Sequence, residues 1–113
     1  MDDLSRYVLT YYGQFMTPHE WEAKRSIYFQ QAQQGATSQG MRAMLGKKVS
    51  QDPEVLALLA DGDESFYVRV RDRILREHSS EVFLNRCPKC GALARTPRAK
   101  QCRACFYSWH EKA

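Results

Sequence analysis

The stretch Cys87-Pro88-Lys89-Cys90-Gly91 and the later stretch Cys102-Arg103-Ala104-Cys105 decide how the last third of this chain folds. Each holds a C-x2-C pair, and eleven residues separate the pairs. Two residues between cysteines let one tight turn aim both sulfur atoms at a single ion, and two such turns complete the tetrahedron that Zn²⁺ accepts from cysteine. Gly91 suits the left-handed backbone position that follows such a turn. The pattern predicts one zinc ion bound by Cys87, Cys90, Cys102 and Cys105.

The predicted site is closed. Catalytic zinc usually keeps one position open for water, whereas four cysteines fill all four, so a structural ion is expected. His110 is a fifth candidate ligand, but it lies beyond the second pair and a complete set of thiolates leaves no position for it. We favour an exposed histidine at the end of a strand. Close cysteine pairs in a reducing compartment are also better interpreted as metal ligands than as disulfides.

Short strands are expected around the cysteines, at residues 82–84, 92–95 and 106–110. With them the segment resembles a zinc ribbon, a family of small β modules whose four cysteines come from two hairpin-like loops. The resemblance covers about residues 83–111 and rests on the four cysteines. Residues 83–97 are also similar to small bacterial zinc-ribbon proteins, some of which are immunity proteins encoded beside secreted polymorphic toxins.

Residues 1–80 are expected to be helical because apolar side chains recur at helical spacing. The first helix has a wide apolar face made of Leu4, Tyr7, Val8, Tyr11, Tyr12 and Phe15. Thr17 as N-cap, Pro18 at the first helical position and Glu20 in a capping box predict a second helix that runs to about Gln33. On it Trp21, Tyr28 and Ala32 share a stripe while Ala23 and Ile27 face elsewhere, so we expect this helix to touch more than one neighbour.

Three further helices follow in the prediction. A short one carries Met41, Met44 and Leu45, and a brief one starts at Asp52-Pro53 and ends at Asp61-Gly62. The last, from about Asp63 to His78, has an apolar side made of Phe66, Tyr67, Val70 and Ile74. Its other side has Arg69, Arg73 and Arg76, with i,i+4 pairs expected for Asp72–Arg76 and Arg73–Glu77. The predicted fold is mainly α, with a helical domain at residues 1–80 of four to five helices and a small β zinc ribbon at residues 81–113.

The chain has 113 residues and a formal charge of +4, and the basic excess belongs to the ribbon. Residues 81–113 contain seven Lys or Arg and two Glu. Four thiolates and one Zn²⁺ add about −2 there, so part of this charge compensates the metal centre. No apolar run approaches the length of a membrane span, and Met1-Asp2-Asp3-Leu4 is acidic where a signal peptide is positive. We expect a cytoplasmic protein with no membrane partner.

The sequence bears on three classes of function. No phosphate loop, nucleophile elbow or paired acidic motif is present, and His19 and His78 are typical of capping or solvated residues, so an enzyme is not expected. A nucleic-acid-binding or transcription-associated ribbon is the alternative, since it has cations and aromatic rings that can contact phosphates and bases: Arg86, Lys89, Arg95, Arg98, Lys100, Arg103, Tyr107 and Trp109.

Non-catalytic, stoichiometric association with a protein partner is the preferred function. Six Tyr, two Trp and four Met exceed what one small core needs, and these types are enriched at interfaces. Tyr107 and Trp109 are interpreted either as interface residues or as the core of the ribbon. The resemblance to immunity proteins implies that the partner is a secreted bacterial toxin.

Overall fold

The computed structural model describes residues 1–110. Within them lie five α-helices: α1 Asp3–Tyr11, α2 Pro18–Gly35, α3 Gln39–Gly46, α4 Pro53–Leu58 and α5 Asp63–Glu77. A 3-10 helix, Gly13–Phe15, follows α1. The mainly α prediction, with four to five helices before residue 80, is confirmed. None of the helices in this part of the chain is both long enough and apolar enough to cross a membrane.

The chain forms two compact units. The middle unit is Met16–Val70, and the terminal unit combines Met1–Phe15 with the chain from Arg71 onward. The first helix therefore belongs to the same unit as the cysteine segment. The sequence predicts a boundary at residue 80 between a helical domain and a ribbon. That boundary refers to which parts of the chain fold independently, so it stays a prediction.

Capping side chains start the helices of the middle unit. The Thr17 hydroxyl accepts the Glu20 N–H at 3.2 Å while a Glu20 carboxylate oxygen accepts the Thr17 N–H at 2.8 Å, so the predicted capping box is confirmed. Asp52 accepts the Glu54 N–H at 2.9 Å and starts α4, again as predicted. Both α3 and α4 pack against α2.

The expectation that α2 touches more than one neighbour is confirmed. The face of α2 that is buried is the one that carries small residues, not the one that carries the aromatic rings. Ala23 and Ile27 are buried, whereas Trp21 and Tyr28 are 46% and 65% exposed. Ala23 and the buried Ser26 lack bulk, so a neighbouring backbone can come close to this side of α2. The wide rings of Trp21 and Tyr28 are left at the surface.

In the terminal unit the Asp2 carboxylate caps α1, accepting the Ser5 N–H at 2.7 Å. The predicted first helix is interrupted at Gly13, where the chain changes to the 3-10 turn. The Phe15 ring stacks on the His78 imidazole with centroids 3.9 Å apart. Because His78 follows α5 directly, this contact joins the two chain segments that make up the unit.

The α5 helix has the apolar side that the sequence predicts: Phe66, Tyr67, Val70 and Ile74 are all buried. The Arg73–Glu77 ion pair forms at 2.7 Å, and this contact lowers the pKa of Glu77. The predicted pair of Asp72 with Arg76 is wrong, because Asp72 instead accepts from Arg71 at 2.9 Å. Arg71 directly precedes Asp72 in the chain. Its guanidinium, which also pairs with the Asp2 carboxylate, is a closer donor to Asp72 than that of Arg76.

Extended strands are not found in residues 81–110. The three expected strands are reduced to two antiparallel bridges, Arg86 with Leu93 and Gln101 with Ser108. Residues 82–84 belong to no strand. Each bridge lies directly beside a cysteine turn and is held by two backbone hydrogen bonds, the first of which comes from the N–H of Cys87 or Cys102.

Candidate metal centre

The first cysteine pair lies on a tight backbone turn. The Gly91 N–H donates to the Cys87 carbonyl, and the Cys87 N–H donates to the Ala92 carbonyl, both at 2.9 Å. Inside this turn the N–H groups of Lys89 and Cys90 point at the Cys87 sulfur, at 3.4 and 3.5 Å. Backbone dipoles thus surround one sulfur atom and favour its thiolate form.

The second pair repeats this arrangement. The Phe106 N–H donates to the Cys102 carbonyl at 3.0 Å, and the Cys102 N–H donates to the Tyr107 carbonyl at 2.8 Å. The Ala104 and Cys105 N–H groups point at the Cys102 sulfur, at 3.3 and 3.4 Å. The two C-x2-C sequences therefore fold into equivalent turns, called here the first and second knuckles.

One backbone position differs in residue type between the knuckles. The residue after the second cysteine has a positive φ in both, 78° at Gly91 and 64° at Phe106. Glycine adopts this conformation freely, but a residue with a Cβ is strained in it. Phe106 is also 72% exposed, so its ring gains little from burial to offset that strain.

The four sulfur atoms form one cluster. All lie within 4.8 Å of one another, with Cys87 and Cys105 at 3.7 Å and Cys90 and Cys102 at 3.5 Å. A tetrahedral ion with metal–sulfur bonds of about 2.3 Å requires sulfur–sulfur distances of about 3.8 Å. The four predicted cysteines are thus positioned to coordinate a single metal ion.

The knuckle hydrogen bonds shift the pKa values of three of the thiols in different directions. Burial raises the pKa of Cys87, but two N–H groups of its own knuckle outweigh burial and lower it. The Cys105 N–H lowers the pKa of Cys102 to about 6. The Ala92 N–H lowers the pKa of Cys90, but hydrogen bonds with neighbouring sulfur atoms outweigh it and raise this pKa to about 12. Each knuckle thus contains one sulfur whose thiolate form the backbone favours, at Cys87 and at Cys102, and a metal ion held by all four cysteines would require deprotonated sulfur ligands.

Asn85, just before the first knuckle, holds the loop between the knuckles. Its buried side-chain amide donates to the Thr96 carbonyl at 3.0 Å and to the Ala99 carbonyl at 2.8 Å. The backbone carbonyl of Asn85 accepts the Ala94 N–H at 2.7 Å. Asn85 was not among the site residues predicted from the sequence. No spacing rule identifies a lone asparagine whose partners lie 11 and 14 residues away.

Two tyrosines of the terminal unit hold the chain that leads into the first knuckle. The Tyr7 hydroxyl donates to the Phe83 carbonyl at 2.5 Å and accepts the Asn85 N–H at 3.2 Å. The Tyr12 hydroxyl accepts the Phe83 N–H at 3.0 Å. In the sequence both residues were interpreted only as part of an apolar helix face. The available signal was that a buried tyrosine hydroxyl needs a hydrogen-bond partner.

The other predicted site residues lie around the cluster. His110 is exposed and not part of the cysteine cluster. Tyr107 and Trp109 stack at 6.3 Å, and the Lys89 ammonium lies 5.8 Å from the Tyr107 ring centre. Arg103 pairs with Asp3 at 3.0 Å. The remaining ribbon cations, Arg86, Arg95, Arg98 and Lys100, are all exposed.

The histidines considered as catalytic candidates face carboxylates. His19 lies 3.0 Å from a Glu54 oxygen and 3.6 Å from an Asp52 oxygen, at the start of α4. His78 lies 2.6 Å from a Glu81 oxygen. Within residues 1–110 neither histidine belongs to a metal-binding cluster.

Comparison with protein-family models, with curated proteins and with solved structures found no match to this chain. The resemblances to zinc ribbons and to immunity proteins therefore rest on the sequence alone. The metal-binding cluster rests on its own geometry, namely four sulfur atoms at tetrahedral spacing.

Proposed function

We propose that the chain holds one structural zinc ion and acts without catalysis, by stoichiometric association with a protein partner. Four thiolates are the soft, closed ligand set that structural zinc uses. The energy of metal binding would be available for folding the two knuckles, since a preformed site is absent from an unfolded chain. The zinc would thus fix the shape of a surface and leave recognition to the side chains around it.

The observation that carries the protein-partner proposal is a surplus of exposed interface-type side chains. Single exposed apolar residues are common on proteins, but aromatic residues and methionine are also the types enriched where proteins meet. Nine large apolar side chains of residues 1–110 remain exposed: Tyr11, Trp21, Tyr28, Met41, Met44, Leu56, Phe83, Phe106 and Tyr107.

A secreted bacterial toxin is the partner that we propose to test first. An immunity protein needs only a rigid surface complementary to one toxin, so that it can block the active-site cleft. The resemblance of residues 83–97 to immunity proteins supports this choice. Specific interfaces bury about 1,200–2,000 Å², and a chain of 113 residues can supply its half of such an area.

The test is recovery of the partner from the native host. The chain, tagged and expressed at its natural level, is cross-linked and purified, and each co-purified protein is then co-expressed with it. We expect a complex of fixed stoichiometry by light scattering and, where the partner is a toxin, survival of cells that produce both. Recovery of no protein together with no protection against a toxin encoded nearby would refute the proposal.

A nucleic-acid-binding function is the second candidate, and one observation favours it. Arg95 and Arg98 are exposed, form no ion pair within residues 1–110, and lie in the terminal unit, where Arg98 and Tyr11 border one shallow cleft. Cations beside an aromatic ring can bind a phosphate and a base. This function predicts tight binding that weakens steeply with salt, and a flatter salt dependence in the Arg95→Ala/Arg98→Ala variant.

A further inference from the structure

An open cleft of about 620 Å³ lies within the middle unit. One face of α2 forms most of its wall, because residues at positions i, i+3, i+4, i+7 and i+10 of a helix share a side. That face is about 15 Å long at 1.5 Å per residue. The residues that line the cleft are Trp21, Lys24, Arg25, Ile27, Tyr28, Gln31 and Tyr67.

The cleft combines a buried apolar floor with an exposed aromatic rim. Ile27 is 1% exposed and Tyr67 is 8% exposed, whereas Trp21 and Tyr28 are 46% and 65% exposed. Sites that bind organic groups have volumes of about 300–1,000 Å³ and mostly apolar linings. The space lined by Ile27 therefore suits one or two apolar side chains, with the exposed Trp21 and Tyr28 rings at its rim.

The two charged residues that line the cleft, Lys24 and Arg25, are both cations. The Lys24 ammonium lies 5.3 Å from the Trp21 ring centre, and within residues 1–110 neither Lys24 nor Arg25 forms an ion pair. Burial and then the carboxylates of Asp63 and Glu64 raise the pKa of Tyr67, but these two acids do not line the cleft. An occupant with carboxylates beside its apolar group would complete this surface electrostatically.

We propose that this cleft is the docking site for an acidic segment of the protein partner, which inserts an apolar side chain between Trp21 and Tyr28. This inference rests on the proposed protein-partner function and specifies its surface. Trp, Tyr and Arg are the residue types that contribute most of the energy at interfaces, and three of them meet here on one helical face. A nucleic acid fits less well, because the floor is apolar and only two cations are present.

A library of random peptides, panned on the purified zinc-loaded chain, tests the proposal. We expect enrichment of peptides that combine Asp or Glu with Leu, Phe or Trp. Their affinity should fall at least tenfold in Tyr28→Ala and in Trp21→Ala, because the rim would no longer enclose the apolar group. The Lys24→Glu/Arg25→Glu variant should weaken the same peptides and flatten the salt dependence of binding.

The matched control is Leu56→Ala, which removes a side chain of the same unit that is 45% exposed and does not line the cleft. It should leave peptide binding unchanged. Thermal melts of all variants show whether folding is intact. The rim and charge variants should melt close to the wild type, because none of the substituted residues is buried and substitutions away from the core change stability little.

Three outcomes would overturn the proposal: no enriched peptides, enriched peptides that are basic, or peptides that bind the Trp21→Ala/Tyr28→Ala variant as well as the wild type. The proposed function fails separately. A partner from the native host that binds all cleft variants normally would remove this docking site and leave the protein-partner function standing. Specific peptides that bind the cleft, with no protein partner recovered from the host, would leave the docking site standing and remove the protein-partner function.

Discussion

The Tyr7 hydroxyl accepts the backbone N–H of Asn85 at 3.2 Å, although 78 residues separate the two in the chain. The same hydroxyl donates to the Phe83 carbonyl, and the Tyr7 side chain is 2% exposed. A residue near the start of the chain thus fixes the backbone that leads into Cys87. The first helix is therefore part of the support of the metal centre.

Removal of the Tyr7 hydroxyl should destabilise the terminal unit. In Tyr7→Phe the buried N–H of Asn85 loses its acceptor, which costs about 1–3 kcal/mol in the free energy of unfolding. Tyr12→Phe is the control, because the groups that its hydroxyl contacts are exposed and can bind water instead. Its expected loss is below about 0.5 kcal/mol. Denaturant unfolding of the zinc-loaded protein measures both, and equal losses would contradict the role assigned to Tyr7.

Local signals predicted the helices well. Thr17, Pro18 and Glu20 lie within four residues, so the start of α2 could be predicted from sequence alone. The contacts of Tyr7 could not, since hydrogen bonds across 76 and 78 residues leave no periodic pattern. The exposed face of α2 also escaped prediction: helical spacing groups Trp21 with Tyr28, but burial depends on which face the neighbouring helices can approach.

The parts of the candidate site that follow from the spacing of the cysteines could be predicted from the sequence. The C-x2-C pairs identified all four clustered sulfur atoms, and Gly91 revealed the left-handed position of the first knuckle. The equivalent position of the second knuckle is occupied by Phe106, and no residue preference predicts a phenylalanine there. Asn85 was missed because its hydrogen bonds depend on the fold of the whole segment.

Asn85→Asp should weaken metal binding while nearly preserving side-chain shape. The substitution replaces the amide donor with a carboxylate oxygen that faces the Thr96 and Ala99 carbonyls. The loss of two buried hydrogen bonds and the new repulsion should cost about 2 kcal/mol or more and release the loop that joins the knuckles. Competition with a chromophoric chelator measures zinc affinity. Zinc affinity equal to that of the wild type would show that the loop is not needed to position the cysteines.

The two left-handed positions give a matched pair of substitutions. Phe106→Gly should raise the stability of the second knuckle by up to about 1 kcal/mol, because glycine removes the strain of a positive φ and the exposed ring contributes little burial. Gly91→Ala should lower stability by about 1 kcal/mol, because alanine is strained at the positive φ of this position. A Cβ at residue 91 would meet nothing within 4 Å, so this backbone strain is the only cost. Unfolding induced by a chelator measures both. A destabilising Phe106→Gly would show that the ring packs on the knuckle.

The Asp2 cap should make stability depend on pH at the acidic end. The Ser5 N–H, helped by the Arg71 guanidinium, lowers the pKa of Asp2 below its ordinary value of 3.8. Its stabilising effect is therefore complete above that value and is lost as pH falls through the lower pKa of the folded state.

Asp2→Asn keeps an oxygen for the Ser5 N–H but removes the charge, so it isolates this effect. The variant should be less stable than the wild type by about 0.5–1 kcal/mol at neutral pH, and the two should converge at an acidic pH below the folded-state pKa of Asp2. Urea unfolding at both pH values checks the prediction. A difference that does not change with pH would mean that the cap acts only as a hydrogen-bond acceptor.

X-ray absorption at the zinc edge, combined with elemental analysis of protein purified without chelator, tests the metal centre most directly. We expect one zinc per chain with four sulfur neighbours at about 2.3 Å, and loss of the ion in the Cys87→Ser/Cys102→Ser variant. A zinc content near zero, a nitrogen neighbour such as His110 in the first coordination shell, or full zinc retention by the double variant would contradict the four-cysteine site.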